Sequence, residues 1–315
     1  MAVAAVAAVL PASAQTAWPE RSLTLVVPFP PGGVADTVAR PVAEALAREL
    51  KQTVVVENRV GAGGAVGNAS VARAAPDGHT LLMSLSSIAV LPEADRLFGR
   101  RPAYTLQQLR PIARFTADPT VLVVRAETPW KTLADFVAAA KARPGAYNYG
   151  SSGNYGTMHV PMEMLKAEAG FSMTHIPYTG AGPAVLALLG GQVDAVASGP
   201  ATVAAHIKAG KLRALAHWGE GPLAALPEVP SLRQLGVPAA FAQWAGLFVP
   251  AGTPEEIVQK LRAAARRAAQ DPAVQQTIVK AGSPVEYLDA PEFAAYIEAD
   301  ARRLAEAVNR IGKVE

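Results

Sequence analysis

The chain has 315 residues, half of them hydrophobic, with 29 lysines and arginines against 26 acidic residues and no cysteine. That length and apolar content suit about two domains of ~150 residues with a sizeable core, while a net charge of +3 marks out neither a nucleic-acid surface nor a membrane-hugging face. The lack of cysteine excludes disulfides, thiolate zinc sites and a cysteine nucleophile; the histidines His79, His159, His175, His206 and His217 show no metal-ligand spacing, so no metal and no cofactor is expected.

Residues 1–14 read as an export signal: Ala2 to Leu10 is an unbroken Ala/Val/Leu run, and Ala12-Ser13-Ala14 has the small-x-small form of a cleavage site, although no basic residue precedes Ala2. The run is too short to span a bilayer, which takes ~20 apolar residues, so a cleaved, exported protein is expected. The pattern then alternates: strand Leu23 to Val27, helix Gly33 to Leu50, strand Thr53 to Glu57, a glycine loop and helix Asn68 to Ala75. Pro41 is expected to kink or divide the first helix. Thr80 to Met83 reads as a strand, and Ser84 to Ser87 as its polar end, where an open parallel sheet presents its ligand-facing edge.

From Ile112 a strand runs to a break at Asp118-Pro119, and Val121 to Val124 starts a second lobe with its own alternation. Helices are predicted over Thr132 to Ala142, His159 to Ala169, Pro183 to Leu189 and Thr202 to Ala209, and strands over Tyr147 to Tyr149, Val193 to Ser198 and Leu212 to His217. Pro222 to Pro238 is irregular, Trp244 to Val249 returns as a strand, and two helices close the chain. They are Ile257 to Gln270, with Thr253 as N-cap and Pro254 at the first helical position, and Pro291 to Ile311; Arg262, Arg266 and Arg267 form a solvated face of the former. The expected fold is α/β, two doubly wound lobes joined by a two-crossing hinge, with residues 18–118 and 245–315 in lobe 1 and 119–244 in lobe 2.

Two stretches share one design. Val26-Val27-Pro28-Phe29-Pro30-Pro31-Gly32-Gly33-Val34-Ala35-Asp36 takes an apolar strand through a Pro/Gly turn into a helix, and His175-Ile176-Pro177-Tyr178-Thr179-Gly180-Ala181-Gly182-Pro183 repeats the order. The first N–H groups of a helix have no partner within it, and the dipole adds positive charge there, so each turn suits a carboxylate or phosphate. A side chain at Gly33 is expected to block that approach and to strain a positive φ. Ser86, Ser87, Ser151, Ser152, Asn154 and Thr157 add neutral donors to the N–H groups of Gly32, Gly33, Gly180 and Ala181, so no lysine or arginine is needed. Phe29 and Tyr178 are expected to wall the cleft. His159, Asp36 and Asp194 complete the candidates, although a first-turn acid such as Asp36 is favoured by the dipole without any ligand.

Two other chemistries fit less well. In Gly61-Ala62-Gly63-Gly64-Ala65-Val66-Gly67 the last position of GxGxxG is Val66, too large for a dinucleotide turn. Gly150-Ser151-Ser152-Gly153 lacks the GxSxG spacing, which disfavours a hydrolase built on Ser151 or Ser152 with His159 and Asp194.

Further motifs run the length of the mature chain: Trp18-Pro19, Asp36 with Ala39-Arg40, Val54-Val55-Val56-Glu57-Asn58-Arg59, Ala75-Pro76-Asp77-Gly78-His79-Thr80, Gly190-Gly191-Gln192-Val193-Asp194 and Gly246-Leu247-Phe248-Val249-Pro250-Ala251-Gly252-Thr253-Pro254. With the two turns, they make the chain resemble the substrate-binding receptors of tripartite tricarboxylate transporters, the Bug-type periplasmic solute-binding proteins. The resemblance implies a type II periplasmic-binding-protein fold that closes on a small carboxylate, partly through water. It also implies a monomer that delivers its ligand to membrane permease subunits and catalyses nothing; a carboxylate sensor feeding a signalling partner is the alternative. Val60 after Glu-Asn-Arg, the basic stretch Ala94 to Tyr104, and Met158 before His159 depart from the family pattern, and Met158 is expected to shape the pocket.

Overall fold

The computed structural model describes residues 18–313, and the export signal read at residues 1–14 lies outside them. One sheet contains β1 (Leu23–Val27), β2 (Val54–Asn58), β3 (Thr80–Leu85), β4 (Leu109–Pro119), β10 (Ala242–Pro250) and β11 (Val285–Asp289), in the order β11-β4-β10-β3-β1-β2. The second contains β5 (Val121–Arg125), β6 (Asn148–Ser151), β7 (Thr174–Pro177), β8 (Ala195–Ser198) and β9 (Leu212–His217), in the order β7-β6-β8-β5-β9. β1 lies parallel between β2 and β3, and its almost wholly apolar Leu-Thr-Leu-Val-Val is what a strand covered on both faces requires.

Helices α1 (Val34–Leu50), α2 (Ala65–Ala72), α3 (Ser87–Leu97), α8 (Glu255–Gln270), α9 (Pro272–Lys280) and α10 (Ala290–Ile311) accompany the first sheet; α4 (Leu133–Ala142), α5 (His159–Ala169), α6 (Ala181–Leu189) and α7 (Pro200–Lys208) accompany the second. The main core of the first lobe packs Val34, Val38, Val42 and Leu46 of α1 with Val258 and Leu261 of α8 and with the β1 leucines. Truncating one of these leucines to alanine costs about 2–5 kcal/mol.

The chain passes between the sheets twice. β4 reaches β5 through Thr120 alone, and β9 reaches β10 through the irregular Pro-rich stretch. β4 and β10 pair antiparallel from Ala242↔Pro119 to Pro250↔Leu109. Trp218 N–H donates to Thr120 O at 2.9 Å and Phe241 N–H to Trp218 O at 3.1 Å, so the two crossings are knitted side by side. α10 bridges the lobes: Phe293 and Ile297 pack with Trp244 and Phe248, whereas Leu304 and Val308 pack with Phe136, Leu165 and Phe171.

Several elements differ from the sequence reading. α3 was not foreseen, nor were α9 and β11, so the tail has three helices and a strand rather than two helices. α1 runs unbroken through Pro41, because tertiary packing on both sides of the proline holds it in place. α2 starts at Ala65 rather than Asn68, after a single 3-10 turn at Ala62–Gly64. Pro254 and not Thr253 caps α8; the Thr253 hydroxyl donates instead to Pro250 O at 2.8 Å.

The hinge contains one titratable group in an unfavourable place. Asp118 is fully buried, with Thr116 Oγ1 donating to its Oδ2 at 3.0 Å. Burial pushes the carboxyl up to about 7 and Glu286 adds to the rise, against the hydrogen bond from Thr116. The folded protein therefore holds a proton that the unfolded chain, at 3.8, releases. This contribution is full below that value and is lost as pH rises through about 7. Burial lowers His159 and His175, and their contribution runs the other way, so a direct comparison isolates Asp118. The melting temperature of the wild type relative to Asp118→Asn should fall from about pH 5 to about pH 8; a difference independent of pH would contradict this assignment.

Candidate functional site

The turn from β1 to α1 is held from beneath by an acid. Gly32 N–H donates to Asp36 Oδ2 at 3.0 Å, Arg40 forks onto both carboxylate oxygens at 2.8 Å, and Asn58 Nδ2 reaches Asp36 Oδ1 at 3.0 Å and Phe29 O at 2.9 Å. Burial alone would raise the Asp36 pKa, but these bonds outweigh it and the carboxyl is held below its ordinary value. With its oxygens engaged in this way, Asp36 braces the loop. Gly32 carries the left-handed backbone, φ 78°, whereas Gly33 is extended at φ −77° and ψ 171°. The strain expected at Gly33 thus belongs to Gly32. Gly33 is the N-cap of α1 and brings no side-chain acceptor, so the N–H groups of Val34 and Ala35 are left uncapped.

The turn from β7 to α6 comes from the other lobe. Gly180 caps α6, again without a side-chain acceptor, and its backbone is extended, so its role is proximity. A Cβ on Gly180 would stand 2.6 Å from Cδ and Cγ of Pro30. Two further approaches join the lobes through glycine: a Cβ on Gly153 would lie 3.4 Å from Gly63, and one on Gly199, the N-cap of α7, 2.8 Å from Val34. The two sequence-predicted turns therefore meet across a cleft closed on small residues. Helices α4, α9 and α10 are capped by side-chain oxygens of Thr132, Asp271 and Asp289, whereas α1, α6 and α7 are capped by glycine alone.

Among the hydroxyls, Ser86 Oγ and Ser152 Oγ are buried and without a partner. Ser87 Oγ makes only a long bond to Gly63 O, 3.4 Å, and Thr157 is buried. Ser151 is engaged: its Oγ meets His175 Nε2 at 2.6 Å and accepts from Gly153 N at 3.1 Å, fixing the loop that approaches Gly63. Asn154 is exposed, with its carbonyl 3.5 Å from where a Gly63 Cβ would stand. Tyr178 is half-buried beside Gly150, and its N–H donates to Ser151 O at 2.9 Å. Ala181 is the first residue of α6.

The other candidates are engaged within their own lobes. Phe29 lies in the first-lobe core with its ring over Gly64. His159 is sealed in the second lobe, where its Nδ1 accepts from Tyr155 N–H at 3.0 Å and burial pushes its pKa down to about 2. Asp194 holds Asn148 N–H at 2.9 Å at the start of β8, whereas Ser151 and Ser198 stand at the opposite ends of their parallel strands. Met158 is buried in the second-lobe core, in the cluster against which Tyr178 and Ala181 pack. The serine–histidine contact is therefore Ser151 with His175, not a triad with His159 and Asp194. Burial holds His175 down at about 4. The glycine loop after β2 is equally structural: Val66 lies over Gly61, and Gly67 closes on Pro28 and Arg59 O.

Sequence reasoning passed over Gly199 and Gln243. Ser198-Gly199-Pro200 repeats the strand-glycine-helix order of the two turns and carried the signal for the first. Gln243 lies on the returning strand β10, and nothing local to the sequence marks it.

Two lobes, a double crossing and a cleft lined by helix starts define the periplasmic-binding-protein class, and solved structures of such proteins superpose on most of the chain. A family model for the tripartite tricarboxylate transporter family receptor matches residues 38–313, and the chain belongs to this family. It is 36% identical to the protein BugT of Bordetella pertussis, over 99% of this chain and 95% of that one. It is similar to MatC from Rhodopseudomonas palustris with bound malate, at TM-score 0.85 and 32% identity, covering 92% of this chain and 99% of that chain. A second R. palustris protein, with adipate, gives TM-score 0.86 and 28% identity over 94% and 98%. Family and neighbours are binding proteins, not enzymes.

Because a Cβ at Gly180 collides with Pro30, Gly180→Ala should hold the lobes apart. For any acid that the wild type binds, affinity should fall about tenfold or more, roughly 1.4 kcal/mol, with an unchanged ligand-free melting temperature. Equal affinity would show that the two turns need not touch.

Proposed function

We propose that the mature protein is a periplasmic receptor that captures a small organic carboxylate between its lobes and hands it to the membrane permease of a tripartite tricarboxylate-type transporter. The observation that carries this reading is the meeting of two helix starts, at Gly33 and Gly180, each capped by glycine and so able to offer backbone N–H groups to an anion. Ser86 Oγ from one lobe and Ser152 Oγ from the other supply uncommitted hydroxyls. Relatives with bound malate and adipate support a carboxylate of that size.

Residues 1–14 act as the export signal, residues 18–118 with 245–315 form lobe 1, and residues 119–244 form lobe 2. The lobes rotate about the paired β4 and β10 when ligand binds, and the receptor works as a monomer. Among the described residues no helix is long and apolar enough to cross a membrane, in keeping with a receptor that meets its permease from solution.

A panel of dicarboxylates, tricarboxylates, aromatic acids and amino acids tests the reading by calorimetry and thermal shift. A ligand that binds only the folded state should add ~2.7 kcal/mol of stability at a hundredfold excess over its dissociation constant. Small-angle scattering should show a smaller radius of gyration at saturation. No shift with any acid would overturn the receptor assignment, and a shift without contraction would overturn the hinge.

A further inference from the structure

Gln243 stands at the inner end of the cleft, on the strand that carries the chain back from the second lobe. Gln243 pairs with Asp118 of β4, and the register Ala245↔Leu85 places the ends of β10 and β3 side by side. Gln243 is 2% exposed, and its Nε2 has no hydrogen-bond partner. That amide is aimed at Gly199: a Cβ there would lie 2.1 Å from Gln243 Nε2 and 2.8 Å from Val34 Cγ2. The amide therefore sits where the nine-residue α7 and the seventeen-residue α1 both begin.

Neither helix start has a side-chain cap. In α7, Pro200 has no N–H and Thr202 N–H is bonded to Gly199 O at 3.1 Å, which leaves Ala201 N–H. In α1 the N–H groups of Val34 and Ala35 are left for the first carboxylate, at the Gly33 turn. The buried amide is left without a partner, and an anionic oxygen at this point would meet it and the α7 dipole together.

We propose that Gln243 is a specificity-determining residue, forming with the start of α7 a subsite for a second carboxylate of the ligand. This rests on the receptor reading and deepens it. The first carboxylate lies at the facing turns of Gly33 and Gly180, and the second lies inward, against the hinge. Gln243 supplies a donor without a charge, so a diacid is recognised by dipoles at both ends. A monoacid of the same chain length leaves the amide unmet.

The test is isothermal titration of succinate against butyrate, and of adipate against hexanoate, for the wild type, Gln243→Leu and Gly199→Ala. In the wild type the diacid should bind about tenfold or more tightly than its monoacid in at least one pair. Gln243→Leu should collapse that ratio toward one. Gly199→Ala, whose Cβ displaces the amide, should do the same and serves if the leucine variant does not fold. A ratio preserved in a folded variant, or no preference in the wild type, overturns the subsite and leaves the receptor intact. No binding of any of the four acids or of the wider panel by the wild type overturns the receptor reading and the subsite with it.

Discussion

The structure depends on helix starts that are left without side-chain caps where the lobes meet. An N-cap Ser, Thr or Asp normally satisfies an orphan N–H of the first turn, and this chain places such residues at Thr132, Asp271 and Asp289. At α1, α6 and α7 it places glycine. Glycine costs only a few tenths of a kcal/mol against the best caps. It leaves donors uncommitted and at Gly180 and Gly199 lets the opposing chain approach to distances that no Cβ tolerates. On the proposed reading, one residue type thus serves closure and anion recognition together.

The electrostatics follow from that choice. The conspicuous charge pair beside the turn, Asp36 with Arg40, is internally balanced and spends its hydrogen bonds on shaping the loop. What remains for a ligand is a set of neutral dipoles: backbone N–H groups, Ser86, Ser152 and the Gln243 amide. Such dipoles are fixed by the fold and favour an anion without a strongly hydrated partner ion to strip. They also release it more easily than a buried ion pair, whose separation leaves an uncompensated charge.

Much of the fold was legible because hydrophobic period and turn chemistry coincide. β1, β9 and α5 have the bounds the pattern gives. The misses have physical causes. α3 opens with Ser-Ile-Ala-Val-Leu and contains Pro92, which reads as a strand continuation until packing decides; β11 is a short edge strand defined only by its pairing with β4. In the site, the two turns were legible because their glycines and prolines are local signals. The place of Asp194, at the end of β8 opposite to Ser198, was not legible, since which end of a strand faces the other lobe depends on sheet order. Gln243 acquires its neighbours only when β10 pairs between β3 and β4, a long-range event invisible to any window.

The last helix limits how the lobes can move. Phe293 rests where Gly246 of the hinge strand has no side chain, since a Cβ there would lie 2.3 Å from the ring. Trp244 Nε1 donates to Asp300 Oδ2 at 2.8 Å, at the point where α10 passes from the first-lobe core to the second. Beyond it, Leu304 and Val308 are buried with second-lobe residues, and Tyr155 OH donates to Gly312 O at 2.7 Å. Exposing one such aliphatic side chain costs about 1.5–3 kcal/mol. Opening by a rigid swing that strips α10 from the second lobe is therefore disfavoured. A rotation that keeps Leu304 and Val308 seated and turns about the Trp244–Asp300 contact opens the glycine-lined mouth without that loss.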